Sequence, residues 1–397
     1  MNKIPRLRFK EFRGEWEEKK LKNIVEVNPK TEELPDEFIY IDLESVENGI
    51  LKEKKIIQKE NAPSRAKRNV KLNDILYQTV RPYQQNNLFF NFDDNFEYIA
   101  STGYAQFRSI KNNSKYIYHM LHTKKFLDKV LERCTGTSYP AINSNDLSEI
   151  NIFYTPFLEE QEKIGNFLSS VDKKISILEE KLNLFNQYKK GIMQKIFSQK
   201  LRFKDKNGNN YPEWEEKRLG DILIKNKEKN KENKYTLVQS ISNKYGFINQ
   251  DEYFEDRRIA SKDLKNYYIA KTKLFAYNPS RINVGSLAYK KDNNISVISP
   301  LYVSFYTKKE ELIDKFLLNW FFSLPFIKQM SCSFEGSVRN NLSYETLSNF
   351  IINLPCLEEQ QKIADFLSAI DDKIENISDN LENLKLFKKS MLQKMFV

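Results

Sequence analysis

The chain has 397 residues and a net charge of +10, a length that suits two or three domains and a balance that suits a polyanionic partner. No run approaches the roughly 18 consecutive apolar residues of a membrane span, and no apolar core follows the basic start MNKIPRLRFKEF, so neither a membrane role nor a signal peptide is expected. Cys134, Cys332 and Cys356 form no CxxC pair and His119 and His122 are the only histidines, which argues against a zinc site and for a reduced, cytoplasmic protein.

In chain order, a leading segment Leu7-Arg8-Phe9-Lys10 runs into Trp16-Glu17-Glu18-Lys19-Lys20-Leu21. A mixed α/β stretch follows, with strand-like runs at 38–43, 74–80 and 97–107 and a helical pattern at about 114–133. Two clusters in it interleave basic, polar and aromatic side chains. One holds Arg65, Lys67 and Arg68; the other holds Tyr77, Arg81, Tyr83, Gln84, Gln85 and Asn86. Arginine pairs bidentately with guanine, and glutamine or asparagine with adenine, in the DNA major groove, so these are candidate DNA-binding residues. His119 and His122 lie one helical turn apart without a third ligand and read as a packing or surface pair. The loop Gly136-Thr137-Ser138-Tyr139 suits either a phosphate contact or an ordinary turn.

From Pro156 the pattern becomes a heptad. Ile164, Leu168, Val171, Ile175, Leu178, Leu182 and Phe185 step by four and three, the period of a coiled-coil seam. The next steps, through Tyr188 to Ile192, read as a local stammer. Pro156 with Glu159 and Glu160 suits a helix start, and about 40 helical residues span about 60 Å.

At an offset of 199 residues this segment returns. PFLEEQEKIGNFLSSVDKKI (156–175) matches PCLEEQQKIADFLSAIDDKI (355–374), and 19 of 42 positions are identical without a gap through 197 and 396. The second seam is Ile363, Leu367, Ile370, Ile374, Ile377, Leu381 and Leu384, with its own stammer through Phe387 to Met391. The leading segment also returns, as Leu201-Arg202-Phe203-Lys204 and Trp214-Glu215-Glu216-Lys217-Arg218-Leu219. Between these repeats, 220–330 shows no sustained identity with 22–130. It has strand-like runs at 274–277, 286–289 and 301–305 and a helical pattern at 309–330. Its candidate DNA-binding residues are Arg257, Arg258, Asn278, Arg281 and Asn283, with Arg339 and Asn340 in a loop led by Gly336. Lys262, Lys271 and Lys290 read as phosphate contacts.

A period near 200 residues is a domain duplication rather than a solenoid. Matched seams of equal length favour pairing of the two helices over each packing only on its own globular part, and antiparallel pairing would place the globular parts at opposite ends about a pseudo-two-fold axis. Charge follows the same division. The two helical segments net −1, and the globular segments hold +11, about +3 in 1–155 and +8 in 198–354. Catalytic signatures are missing: there is no GxxxxGK[ST] phosphate loop and no Gly-rich dinucleotide fingerprint. Tyr277-Asn278-Pro279-Ser280 lacks the second proline and the aromatic of an amino-methyltransferase motif, and Asp42 with Glu53-Lys54-Lys55 is a nuclease-like spacing that a Glu- and Lys-rich chain produces by chance.

The blocks Pro-x-Leu-Glu-Glu-Gln-x-Lys-Ile, Phe-Leu-Ser and Asp-x-Lys-Ile, twice at matching positions, resemble the repeated regions of type I restriction–modification specificity (S) subunits; Tyr277 to Asn283 resembles a segment of their target-recognition domains. The resemblance implies an α+β fold: two mixed α/β target-recognition domains separated by two long helices forming an antiparallel coiled coil, a pseudo-two-fold internal repeat. The expected boundaries are 1–155 and 201–354 for the target-recognition domains and 156–200 and 355–397 for the helices. It further implies double-stranded DNA with a bipartite asymmetric site as ligand, the helices setting the spacing between half-sites. Two methylation (M) subunits and two restriction (R) subunits are the implied partners. The chain itself is then not an enzyme and binds no cofactor. S-adenosylmethionine, ATP and Mg belong to the partner subunits, which methylate adenine N6 and cleave. A type IIB-like restriction system is an alternative setting for the same reader. A coiled-coil adaptor without a DNA role is a weaker one, because it leaves the +11 of the divergent inserts unexplained.

Overall fold

A computed structural model describes residues 3–31, 33–136, 138–243, 245–250, 263–334 and 340–397. The chain divides into two compact units, residues 1–180 with 378–397, and residues 181–377. The division runs through both long helices, Leu158–Phe197 and Leu357–Met395, rather than between a globular part and its helix. Each unit contains the first half of one long helix and the last half of the other. No described helix is long and apolar enough to cross a membrane.

In the first unit, strand Glu17–Lys20 pairs antiparallel with Asn151–Tyr154, Glu17 opposite Tyr154. Two four-stranded sheets lie between them in sequence. One has the order 55–58, 37–41, 98–101, 66–70, its middle pair parallel; the other has the order 25–27, 104–109, 75–78, 88–89 and is antiparallel throughout. The expected run 97–107 is thus two strands in different sheets, parted by a turn at Thr102-Gly103. The helical pattern at 114–133 is likewise two helices, Ser114–Leu121 and Lys124–Leu131. They begin where the side chains of Asn113 and Thr123 accept hydrogen bonds from the N–H groups of Tyr116 and Phe126. Trp16, Phe107, Tyr116, Phe126, Ile164 and Leu168 form the core, closed by Met395 and Phe396. A Cβ on Gly165 would sit 2.8 Å from both Asn113 Oδ1 and the Tyr116 nitrogen, so only glycine lets the long helix approach this closely.

The second unit repeats the plan with other residues. Strand Glu215–Arg218 pairs with Ile351–Leu354, one sheet has the order 246–249, 238–242, 296–298, 268–270, and the other 223–225, 303–307, 275–277, 287–289. Order and sense agree strand for strand with the first unit, although the sequences share no sustained identity. Phe275, Phe305, Phe316, Trp320 and Leu367 form its core together with Met193, Ile196 and Phe197.

The repeated Glu-Gln of each long helix explains why that motif returns. Glu160 is fully buried; Arg8 donates to its two oxygens at 2.6 and 2.8 Å and the Thr155 hydroxyl donates at 2.5 Å. Next to it, Gln161 donates to the Thr155 carbonyl and accepts from the Asn113 N–H, both at 2.8 Å. In the second unit Glu359 accepts from Arg202 and from the Trp214 indole, and Gln360 bonds the Pro355 carbonyl and the Ile313 N–H. The glutamate binds the leading segment, and the glutamine binds the start of a helix of the globular part.

Along the seams, Ile164, Leu168, Val171, Ile363, Leu367, Ile370, Ile377 and Leu381 are buried. Ile175, Leu178, Leu182, Phe185, Ile374 and Leu384 are half-buried. The expected stammer is absent. Tyr188 and Phe387 are exposed, and the half-buried Lys189 and Lys388 hold the next seam position, so the four-three spacing continues to Ile192 and Ile196, and to Met391 and Met395. In the first unit Lys388 pairs with Asp172 and Lys385 with Glu179, each at 2.5 Å. One partner number rises as the other falls, so 158–180 and 378–395 run antiparallel. Burial raises the Asp172 carboxyl above its ordinary range, against the lowering effect of Lys388. In the second unit the equivalent pair is Lys189 with Asp371.

Removing one partner of a buried ion pair strands the other charge, which costs about 3–5 kcal/mol. Arg8→Ala is therefore expected to destabilise the first unit by about 3 kcal/mol in urea unfolding, and Arg8→Ala with Glu160→Gln by clearly less than the sum of the two single changes. Additive effects would show that Glu160 is not held by Arg8.

Candidate nucleic-acid interface

The two aromatic and basic clusters singled out in the sequence occupy equivalent connections. In the first unit the chain leaves strand 75–78, makes a one-turn helix Pro82–Gln84 and returns as 88–89; in the second it leaves 275–277, makes Ile282–Val284 and returns as 287–289. Arg81 and Arg281 both stand immediately before the short helix, and Gln85 and Gly285 immediately after it, both in left-handed backbone. Of the clusters, Lys67, Arg65, Tyr83, Gln84, Arg281, Asn283 and Asn340 are exposed, and Arg68, Arg81, Gln85, Asn86 and Asn278 half-buried.

Each connection is flanked by two further segments. In the first unit the Arg81 N–H bonds the Pro140 carbonyl at 2.7 Å, the Ile142 N–H bonds the Thr79 carbonyl, and the Asn48 N–H donates to Asn86 Oδ1 at 3.1 Å. In the second, the Leu342 N–H bonds the Pro279 carbonyl, and Asn243 Nδ2 donates to the Val284 carbonyl at 2.6 Å. The Gly136 loop therefore lies beside Arg81, where its Tyr139 ring is 4.4 Å from the guanidinium carbon. Arg65 joins the same region, because its carbonyl accepts from Thr102 while the next residue, Gly103, accepts from Thr79.

An amide network stiffens the first connection from beneath. Gln78 Nε2 donates to Gln84 Oε1, Gln78 Oε1 accepts from the Asn86 N–H, and Asn87 Oδ1 accepts from the Gln78 N–H. Asn87 Nδ2 meets His122 Nε2 at 3.2 Å, and His122 Nδ1 lies 2.8 Å from the Tyr118 carbonyl. A neutral imidazole with its proton on Nδ1 satisfies both contacts, and burial pushes His122 down to about 4. Gln84 and Asn86 thus have their side-chain carbonyls occupied, by Gln78 and by the flanking Asn48 N–H, leaving their amide N–H groups for a ligand. Asn278 Oδ1 is similarly bonded to the Ser280 N–H.

Several sequence expectations need correction. Tyr77 is fully buried against Phe107 and Phe126 in the core and offers nothing to a ligand. Lys290 is fully buried as well, bonded to Gln239 and Asp292, and Lys271 pairs with Glu228. Asp42, whose nuclease-like spacing reads as a chance match, needs no such correction and caps a turn through the Glu44 and Ser45 N–H groups. Arg257, Arg258, Lys262 and Arg339 lie outside the described residues. Sequence reasoning misses Asn48, Asn87 and Asn243, and reads His122 only as a packing or surface residue and Tyr139 only as part of a Gly-led loop. Only Tyr139, as an aromatic in a Gly-led loop, carried a local signal.

The family described as type I restriction modification DNA specificity domain matches this chain twice, over residues 13–187 and 211–386. The type I restriction enzyme MjaVIII specificity subunit of Methanocaldococcus jannaschii is 27% identical over 295 residues, which cover 70% of this chain and 68% of that protein. The MjaIX specificity subunit of the same organism is 23% identical over 308 residues, 71% of this chain and 68% of the relative. Among solved structures, the type I restriction–modification S subunit from M. genitalium shares the fold with a TM-score of 0.60 at 15% identity, covering 99% of both chains. A chain from a study of assembly and conformational transition in a type I R-M system gives 0.53 at 20% identity, over 96% of this chain and 97% of that one.

Arg281 is exposed at the second connection, with no hydrogen-bond acceptor for its side chain among the described residues. Arg281→Ala is expected to weaken binding to a specific duplex by about tenfold or more, as a lost base contact does, and binding to random duplex far less. Competition titrations measure both, and equal losses would sink base reading by this residue.

Proposed function

The chain belongs to the type I restriction modification DNA specificity family as a specificity subunit, and we propose that each of its two units reads one half of a bipartite, asymmetric site in double-stranded DNA. The observation that carries this reading is the pair of equivalent connections. One strand order presents Arg81 in one unit and Arg281 in the other, on loops whose remaining residues differ. A duplicated frame with divergent loops is the arrangement that two different half-sites require. Base edges carry the information, while phosphate contacts position the protein. Lys67 and Arg65 are exposed and serve as phosphate contacts in this reading.

The long helices set the distance between half-sites and dock two methylation subunits, one for each half of the duplicated frame. Two restriction subunits complete the cleaving assembly. This chain supplies specificity and no chemistry of its own. S-adenosylmethionine acts on the methylation subunits, which reach an adenine by flipping it from the stack, and ATP with Mg acts on the restriction subunits. The setting is the cytoplasm.

Inserting one heptad after Glu180 and one after Ile377 keeps both seams in phase and lengthens each helix by about 10 Å, or about 3 bp of duplex. Mapping methylated adenines in cells carrying this variant is expected to return the same half-sites with a spacer about 3 bp longer. An unchanged spacer would refute the ruler role, and a chain that directs no methylation at paired half-sites would refute the reading itself.

A further inference from the structure

We propose that Arg81 reads a guanine in the half-site of the first unit, and that Tyr139 is the positioning residue that presents it. The inference rests on the function proposed above and adds the base and the residue that fixes its reader.

Arg81 is held in a way that its counterpart is not. Its backbone is left-handed, with φ +53°, a conformation that disfavours any residue with a Cβ and persists only where the surroundings impose it. Two contacts do so. The Arg81 N–H is bonded to the Pro140 carbonyl, and Val80 and Ala141 form an antiparallel bridge. The same bridge brings in Tyr139, whose ring lies under the guanidinium at 4.4 Å while 64% of the residue remains exposed. Gly136 makes this approach possible: its φ is +88°, and a Cβ there would meet the Tyr139 carbonyl at 3.0 Å. Arg281 in the second unit has φ −136° and is exposed.

The Arg81 guanidinium rests over the Tyr139 ring rather than on a hydrogen-bond acceptor, and its N–H donors lie as a planar fork. No described residue accepts a hydrogen bond from that fork in Arg81. In the major groove only guanine offers two adjacent acceptors, N7 and O6; adenine pairs an acceptor with a donor, thymine offers one acceptor and a methyl group, and cytosine a donor. A preorganised donor fork therefore selects guanine. Gln84 and Asn86 have their side-chain carbonyls bonded by Gln78 and Asn48, so they lack the free acceptor that bidentate pairing with adenine needs, and Arg81 is the charged donor fork of this loop.

The test is selection of duplexes from a randomised library by the full chain, followed by titration of the recovered site. The wild type is expected to recover two sequence blocks. Arg81→Lys keeps the charge and loses the fork, so it should flatten one guanine in one block by about ten- to a hundredfold, with the other block unchanged. Tyr139→Ala should weaken the same guanine by about threefold, and Tyr139→Phe should restore it. Replacing that guanine with 7-deazaguanine should reduce wild-type binding to the level of Arg81→Lys and leave the variant indifferent. Loss spread over all sequences in Arg81→Lys, loss at a base other than guanine, or an unchanged motif each overturns the assignment to Arg81. A Tyr139→Ala motif equal to wild type overturns the positioning role. A wild type that recovers no motif overturns the function proposed above and this inference with it.

Discussion

The buried carboxylate at the head of each long helix is the interaction on which the rest is built. Glu160 and Glu359 have no solvent exposure, and a charge so placed is tolerable only when paired and hydrogen-bonded. The pairing comes from Arg8 and Arg202, on leading segments about 150 residues upstream, so the buried carboxylate finds its cationic partner only with the leading segment in place. The adjacent glutamines then dock the N-termini of globular helices at Asn113 and Ile313. Two neighbouring side chains thus fix three pieces of chain on one helical turn. That is enough to orient a whole α/β unit on its helix whatever residues fill its core, and the two units do fill their cores with different ones.

This explains how much of the molecule could be read from the sequence. The seams were legible because a heptad is a local period, and the duplication because its frame must repeat those polar bonds. Lys189 and Lys388 defeated a purely apolar reading of the period. They hold seam positions with an aspartate of the facing helix as partner, and a lysine stem packs along apolar surface while its ammonium reaches out. The common strand order of the two units was not legible at all. Strand pairing is non-local, and the parallel pairs 39–41 with 98–100 and 238–239 with 297–298 join residues about 60 apart that share only their apolar character.

The candidate interface divides along the same line. Arg81 and Arg281 were visible because turn-forming and polar residues cluster around them. Tyr77 misleads for a related reason: it borders a polar run, yet it lies inside a strand whose four residues are all buried. Tyr139 came to Arg81 through a bridge between segments 61 residues apart, Val80 and Ala141, which no local pattern announces. The network under the loop was equally hidden. Gln78, Asn87 and His122 are ordinary polar residues in sequence, and only their convergence turns them into a support.

The division of the helices between units carries a further physical consequence. Met395 and Phe396 complete the core of the first unit, and Met193, Ile196 and Phe197 that of the second. Neither globular core is closed by its own helix alone. The second unit is continuous in sequence from 181 to 377, whereas the first joins 1–180 to 378–397. Closing the first core therefore requires ordering a contact between distant parts of the chain, and loop-closure entropy grows only slowly with that length. The burial of Trp16 against Phe396, two large rings 6.0 Å apart, works against that modest entropy. The ion pairs Asp172 with Lys388 and Lys189 with Asp371 add direction to the closure. A shift of one helical turn would leave a half-buried charge facing an apolar seam, so the register that matches the charges is also the register that fills both cores.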